Sequence, residues 1–140
     1  MDNKVQQQPK QNKNSTLSSS YTLWIHCNRC YEQYVKKTRL MYLLACDHVT
    51  CAQCTQNVSE TSVNGPQIYK CPLCGRQTRA CKLGNEMPTH LKDLFHPMPY
   101  LDSLNTHRIL EFQEKHRRRF LEYLDRNVRR QFPKVFGKYF

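Results

Sequence analysis

Apolar positions follow two rhythms along this chain, separated by stretches with neither. Residues 1–20 are Gln, Asn, Lys and Ser with almost nothing apolar. Such a composition cannot repay the entropy of ordering, so a disordered polar N-terminus is expected there. Tyr21, Leu23, Trp24 and Ile25 then bring in the first apolar cluster, with Trp24 as a packing residue. The continuous run from Leu40 to Ala45, followed by Val49 and Thr50, predicts a small hairpin. Cys51 to Glu60 suits a short helix carrying Cys54 and, one turn later, Val58. Asn64-Gly65-Pro66 is a turn signal, and Gln67 to Lys70 predicts a third strand.

Beyond Gly84 the rhythm changes. Pro88, Pro97 and Pro99 make residues 85–101 a connector with at most a helical turn around Leu91 to Phe95. A long helix is predicted over 102–132, with Asp102 as N-cap and Pro133 as its stop. Ile109, Phe112, His116, Phe120, Tyr123, Leu124 and Val128 share one side of it at 3.6 residues per turn. Gln113, Arg117 and Asn127 interrupt that stripe, and no strict heptad lasts beyond about two turns. Glu111–Lys115, Glu114–Arg118, Glu122–Arg126 and Asp125–Arg129 are acid-first i,i+4 pairs. A zinc-sized domain has little surface to cover so many aromatics. The stripe is therefore assigned to a short seam with a second copy or a paralogue, in preference to packing on the preceding domain, with His116 titrating near 6.5 inside it. Residues 133–140 form a basic aromatic tail.

The chemistry lies in the cysteines. Seven of eight fall between Trp24 and Cys74, as Cys27-x2-Cys30, Cys46-x-His48-x2-Cys51-x2-Cys54 and Cys71-x2-Cys74. Each Cys-x2-Cys turn presents two thiolates to one metal, and four such ligands close a tetrahedral structural zinc site. Eight ligands make two zinc ions. A redox pair, a disulfide framework and another tandem or treble zinc fold are the alternatives. Three Cys-x2-Cys pairs with a Cys-x-His disfavour the first. Residues 21–84 hold too little apolar sequence for a self-sufficient core, so the metals supply the missing stability. Cys81 is surplus and reads as a plain structural thiol. His26 lies outside the ligand spacing, and reads as a residue behind the ligands or at the surface.

Charge adds less. The formal balance is +11, or about +8 with seven thiolates and two dications counted. Nucleic acid, acidic protein segments and anionic surfaces suit it. Direct DNA binding has only this charge in its favour, and Lys115 with Arg117 to Arg119 reads first as solvated helix surface. No apolar leader or membrane-length run is present, so an intracellular, reducing setting without membrane contact is expected. No phosphate loop, nucleophile motif or paired carboxylates appear.

A histidine in fourth place among the ligands is the order of RING fingers. That resemblance implies a cross-brace: Cys27, Cys30, Cys51 and Cys54 on one ion, and Cys46, His48, Cys71 and Cys74 on the other. The fold class is then small zinc-stabilised α+β, a RING-type ββα domain followed by a long C-terminal helix. Two stretches sharpen it. Trp24-Ile25-His26-Cys27-Asn28-Arg29-Cys30 and Ile109 to Arg117 resemble the meiotic pro-crossover RING-finger proteins of the synaptonemal complex and recombination nodules, and the short length and basic ending are similar to their insect members. The resemblance implies an E3 ligase passing SUMO or ubiquitin from an E2 to chromosome-associated recombination proteins in the nucleus, with no catalytic residue of its own. Its E2 surface would comprise Arg29, Val58, Pro72 and Leu73. Arg29 stands where an aliphatic residue is usual, and Val58 where a tryptophan often packs. Gly75 follows the last ligand, where potent ligases place an arginine. The alternative is a non-enzymatic adaptor that recruits partner proteins at recombination sites.

Overall fold

The computed structural model describes residues 22–58, 65–97 and 105–133. Expectations for the N-terminal segment, for Asp102 as a cap and for the tail after Pro133 lie outside these residues. Two small antiparallel sheets form the domain. β1 (Met41–Leu44) pairs with β2 (Val49–Cys51) on one side and β6 (Ala80–Lys82) on the other. β3 (Gln56–Asn57), β4 (Tyr69–Lys70) and β5 (Gln77–Thr78) make the second sheet in that order. The β1–β2 hairpin carries Cys46 and His48 in its turn, where Asp47 takes a left-handed φ of 66°.

The expected helix after Cys51 does not form among the described residues. One turn closes there, with the Cys54 and Thr55 N–H groups donating to the Cys51 carbonyl. The Thr55 hydroxyl donates to the same carbonyl at 2.7 Å. Gln56 and Asn57 then pair with Lys70 and Tyr69 as β3. A side chain that bonds its own turn competes with helix propagation, and Thr55 does so here.

α1 (Thr89–Lys92) continues into a 3-10 turn, Asp93–Phe95, and α2 spans Thr106–Gln131 ahead of Pro133. Three of the four predicted ion pairs form along α2, at 3.1 Å for Glu111–Lys115, 3.1 Å for Glu114–Arg118 and 2.8 Å for Asp125–Arg129. Glu122–Arg126 does not form. Arg126 turns to the Tyr31 hydroxyl at 3.1 Å instead.

The aromatic stripe of α2 packs on the zinc domain, which corrects its assignment to a seam between copies. Ile109 and Phe112 join Trp24, Ile25, Met41, Leu83 and Leu94 in one core. Trp24 stacks on Phe95 and meets Phe112 edge-on, at ring separations of 6.0 and 6.4 Å. Farther along, Phe120 lies 5.0 Å from His26, and Tyr123 stacks on Tyr31 at 4.2 Å. The apparent interruption at Gln113 is buried too, its amide donating to the Leu94 and His96 carbonyls at 3.0 and 2.8 Å. That single side chain ties α2 to the 3-10 turn before it.

A buried polar chain completes the join. The Asn28 amide nitrogen lies 3.3 Å from His26 Nε2 and 3.2 Å from His116 Nδ1, while its oxygen accepts the Val49 N–H at 2.9 Å. His26 Nδ1 donates to the Trp24 carbonyl at 2.7 Å, and His116 Nε2 to the Asp47 carbonyl at 3.0 Å. Each imidazole thus presents its one acceptor nitrogen to the amide, and both must be neutral. Asn28 is 4% exposed and His116 2%. Burial, then the Arg119 charge, pushes His116 down to about 3. This replaces the expectation of a histidine titrating near 6.5.

Two outcomes follow from this packing. Phe112→Ala, which empties a core position 5% exposed, should cost about 3 kcal/mol in chemical unfolding of the zinc-loaded protein and shift Trp24 fluorescence to the red. His116 has a native pKa far below its unfolded value, so the unfolded chain binds the extra proton. Stability is then complete above about pH 6.5 and falls by up to about 1.4 kcal/mol per pH unit below it. Unfolding at saturating zinc from about pH 7.5 to 5.5 should show a shallower slope for His116→Gln.

Candidate functional site

Two clusters of ligand atoms stand in this frame. Those of Cys27, Cys30, Cys51 and Cys54 all lie within 4.8 Å of one another, as do those of Cys46, His48, Cys71 and Cys74. The chain thus crosses itself, with ligand pairs one and three facing one point and pairs two and four another. Cys30 and Cys51 sulfurs are 3.8 Å apart, and His48 Nδ1 is 3.4 Å from Cys46 Sγ and 3.5 Å from Cys71 Sγ. A tetrahedral zinc with Zn–S near 2.3 Å spaces its ligand atoms by about 3.8 Å, so one ion fits each cluster. Cys81 takes no part, its thiol approaching the Lys82 carbonyl.

The backbone explains why these short loops close. Tyr31 N–H donates to the Cys27 carbonyl at 2.8 Å, and Gly75 N–H to that of Cys71 at 3.0 Å. Both residues follow the second cysteine of a pair and both are left-handed, with φ of 64° and 75°. Glycine adopts this freely. Tyr31 bears a strain of about 1 kcal/mol, and its ring is thereby set between His26 and Tyr123.

Charge in the clusters calls for a cation. Burial, with Cys74 and Cys71 beside it, pushes the Cys46 thiol up to about 12. Cys54 is driven up by burial and by Cys51. Burial also opposes ionisation of Cys51, but the Cys54 N–H and thiol and the Arg39 guanidinium outweigh it and hold this thiol at about 7. Arg39 Nη1 lies 3.5 Å from Cys30 Sγ and 3.9 Å from Cys51 Sγ, a cationic lid on the first cluster. Crowded thiols of this kind ionise together only around a dication, and zinc supplies both the charge and the tetrahedral geometry. Burial and Arg119 lower the His48 pKa, favouring the neutral form a ligand needs.

The remaining residues singled out in the sequence are dispersed more widely. Arg29 and Leu73, from the first and last zinc loops, line one open cleft with Tyr31, Tyr123, Arg126 and Arg130. Leu73 is 42% exposed there. Pro72 is exposed beside it, whereas Val58 is half-buried after β3 and outside that cleft. Asp47 drew no functional notice from the sequence, and Asn28 entered only as part of the stretch that carries the family resemblance. Their neighbours were the ligands, and a position between ligands carries no period that marks it.

Metal content tests the clusters. Native mass spectrometry should find two zincs in the wild type and in Cys81→Ser, and fewer in Cys46→Ser. A strong chelator should abolish the Trp24 environment along with the metal, because the hydrogen bonds and packing that remain do not replace the folding free energy that the metal supplies.

Residues 26–76 match the zinc-RING finger domain model. The chain is 36% identical to the RING finger protein vilya of Drosophila melanogaster over 104 residues, 74% of this chain and 43% of vilya. It is 36% identical to the RING finger protein nenya of the same fly over 72 residues, 51% of this chain and 30% of nenya. Against the human probable E3 SUMO-protein ligase RNF212 it is 30% identical over 110 residues, 76% of this chain and 34% of that protein. It spans less than half the length of each, so size does not distinguish among them. No solved structure matches. An alignment of 104 residues runs well beyond the zinc domain, and with both ligand clusters in cross-braced order the chain carries a RING domain and is a RING-finger homologue of vilya, nenya and RNF212.

Proposed function

We propose that this chain is a RING-type E3 that brings SUMO or ubiquitin on a conjugating enzyme to chromosome-associated proteins in the nucleus, in meiotic double-strand break formation or repair and crossover recombination. The observation that carries this reading is the meeting of Arg29 and Leu73, from two loops distant in sequence, in one open cleft. RING ligases dock their E2 between the first and last zinc loops. The name of the human relative supports SUMO as the modifier.

No nucleophile is needed from this chain. A substrate lysine amine attacks the thioester carbonyl, the isopeptide bond forms, and the E2 cysteine leaves as thiolate. The ligase contributes orientation of the thioester, and a rigid zinc-braced surface is suited to that. Leu73 supplies an exposed apolar contact, held by the Cys71 knuckle through its own N–H to the Cys71 sulfur at 3.4 Å. Pro72 stiffens the same loop. No helix among the described residues is long and apolar enough to cross a membrane.

An adaptor that only recruits partners is the second reading, favoured by Arg29 in a groove that is usually apolar and by Val58 standing outside the cleft. Discharge of charged E2s, tested as a panel with each modifier, separates the two. The ligase reading expects discharge by the wild type and at least a tenfold loss in Leu73→Ala with both zincs retained. Discharge no faster than by Cys51→Ser for every E2 would leave the adaptor. Gly75→Arg gives a gain-of-function arm. A Cβ at Gly75 meets nothing within 4 Å, though its φ of 75° costs a side chain about 1 kcal/mol. The arginine usual at this place should therefore fit and raise discharge severalfold.

A further inference from the structure

We propose that the last turns of α2 form one wall of the E2 surface and select, through Arg126 and Arg130 beside Arg29, a conjugating enzyme that presents carboxylates to them. This rests on the ligase reading above and adds a part of the chain outside the zinc loops. The cleft of about 320 Å3 that holds Arg29 and Leu73 has Tyr123, Arg126 and Arg130 on its opposite side. No carboxylate lines it. Among the described residues neither Arg29, Arg126 nor Arg130 makes an ion pair.

The arrangement is built, not accidental to a mobile helix end. Tyr123 and Tyr31 stack at 4.2 Å with their planes 4° apart. Arg126 lies 5.9 Å from the Tyr31 ring centre and donates to its hydroxyl, in place of the i,i+4 partner Glu122 that the helix offers. Arg126 is thus held in place, and with Arg29 and Arg130 it lines the cleft around one exposed leucine with no carboxylate among the lining residues. Arginines presented in this way favour an acidic partner over a basic one, and govern encounter rate and choice of partner more than total affinity. An apolar contact at Leu73 with a cationic rim fits a folded protein surface better than a nucleic-acid backbone, which has no use for the leucine.

Affinity for the E2 that the wild-type zinc-loaded chain discharges fastest tests this, measured by calorimetry across a salt series with Arg126→Glu plus Arg130→Glu and with Leu73→Ala. The double variant should bind about tenfold more weakly, with a flatter salt dependence and unchanged zinc and helix content. Arg130→Glu alone, which leaves the Tyr31 contact in place, should show a smaller loss in the same direction. E2 affinity and salt dependence equal to wild type in these variants, with Leu73→Ala still weakened, would overturn the arginine wall and leave the ligase reading standing. Loss of binding to a short DNA duplex with E2 binding intact would also overturn it, assigning the arginines to phosphate. If the wild type binds no E2 at all, both readings fall.

Discussion

The amide of Asn28 is the constraint on which the rest of this structure depends. Its backbone N–H donates to the Val49 carbonyl at 2.7 Å and its side-chain oxygen accepts the Val49 N–H, so the first zinc loop is sewn to β2. Its amide nitrogen faces His26 and His116 at once. Only asparagine provides one acceptor and two donors at that length. Aspartate lacks the donors, and glutamine would carry the amide one carbon too far. Inside a low-dielectric core, losing any of these bonds leaves a polar group unpaired, which costs more than the bond contributes. His116 passes the constraint on, because its other nitrogen donates to Asp47 between two ligands of the second zinc cluster. One amide and one imidazole therefore couple both metal sites to α2.

That coupling changes what the helix is for. An appended helix could present its apolar face to any partner, whereas this one spends Ile109, Phe112, His116, Phe120 and Tyr123 on the domain that precedes it. Its exposed side keeps Leu121, Leu124 and Val128, with the basic residues around them. The direction of α2 is fixed at its start by Gln113 on the Leu94 and His96 carbonyls and near its end by the stacked tyrosines. The zinc loops and the helix then present one continuous surface around Leu73. Tyr31, strained into a left-handed conformation directly after Cys30, is the piece that makes the second attachment.

The ligand pairs were legible in the sequence because metal geometry acts over a few bonds, so that Cys-x2-Cys and Cys-x-His spacings bring two atoms together, whereas the interleaving of the pairs into two clusters came from the RING resemblance. The β1–β2 hairpin and the stop of α2 before Pro133 were legible for equally local reasons. What the helix packs against was not. The partners of His116 and Gln113 lie 88, 69, 19 and 17 residues away, and no periodicity encodes a contact at that range. A polar residue on an apolar stripe reads as an interruption until its buried carbonyl is seen. The turn after Cys51 misled for another reason, since Thr55 bonds back to Cys51 and takes the chain into β3. The resemblance of Cys27-Asn28-Arg29-Cys30 and of the segment through His116 to one family has a physical counterpart, as the two stretches meet at Asn28 and His116.

Heteronuclear NMR of the imidazole nitrogens in the zinc-loaded protein reports on this join directly. At about pH 6, where a free imidazole is mostly protonated, His116 should be a single neutral tautomer with its proton on Nε2, and His26 one with its proton on Nδ1. Neither should titrate before the fold is lost. A His116 that averages between tautomers and titrates near 6.5 would show that α2 is not locked to the zinc domain, and the surface built on that lock would not exist.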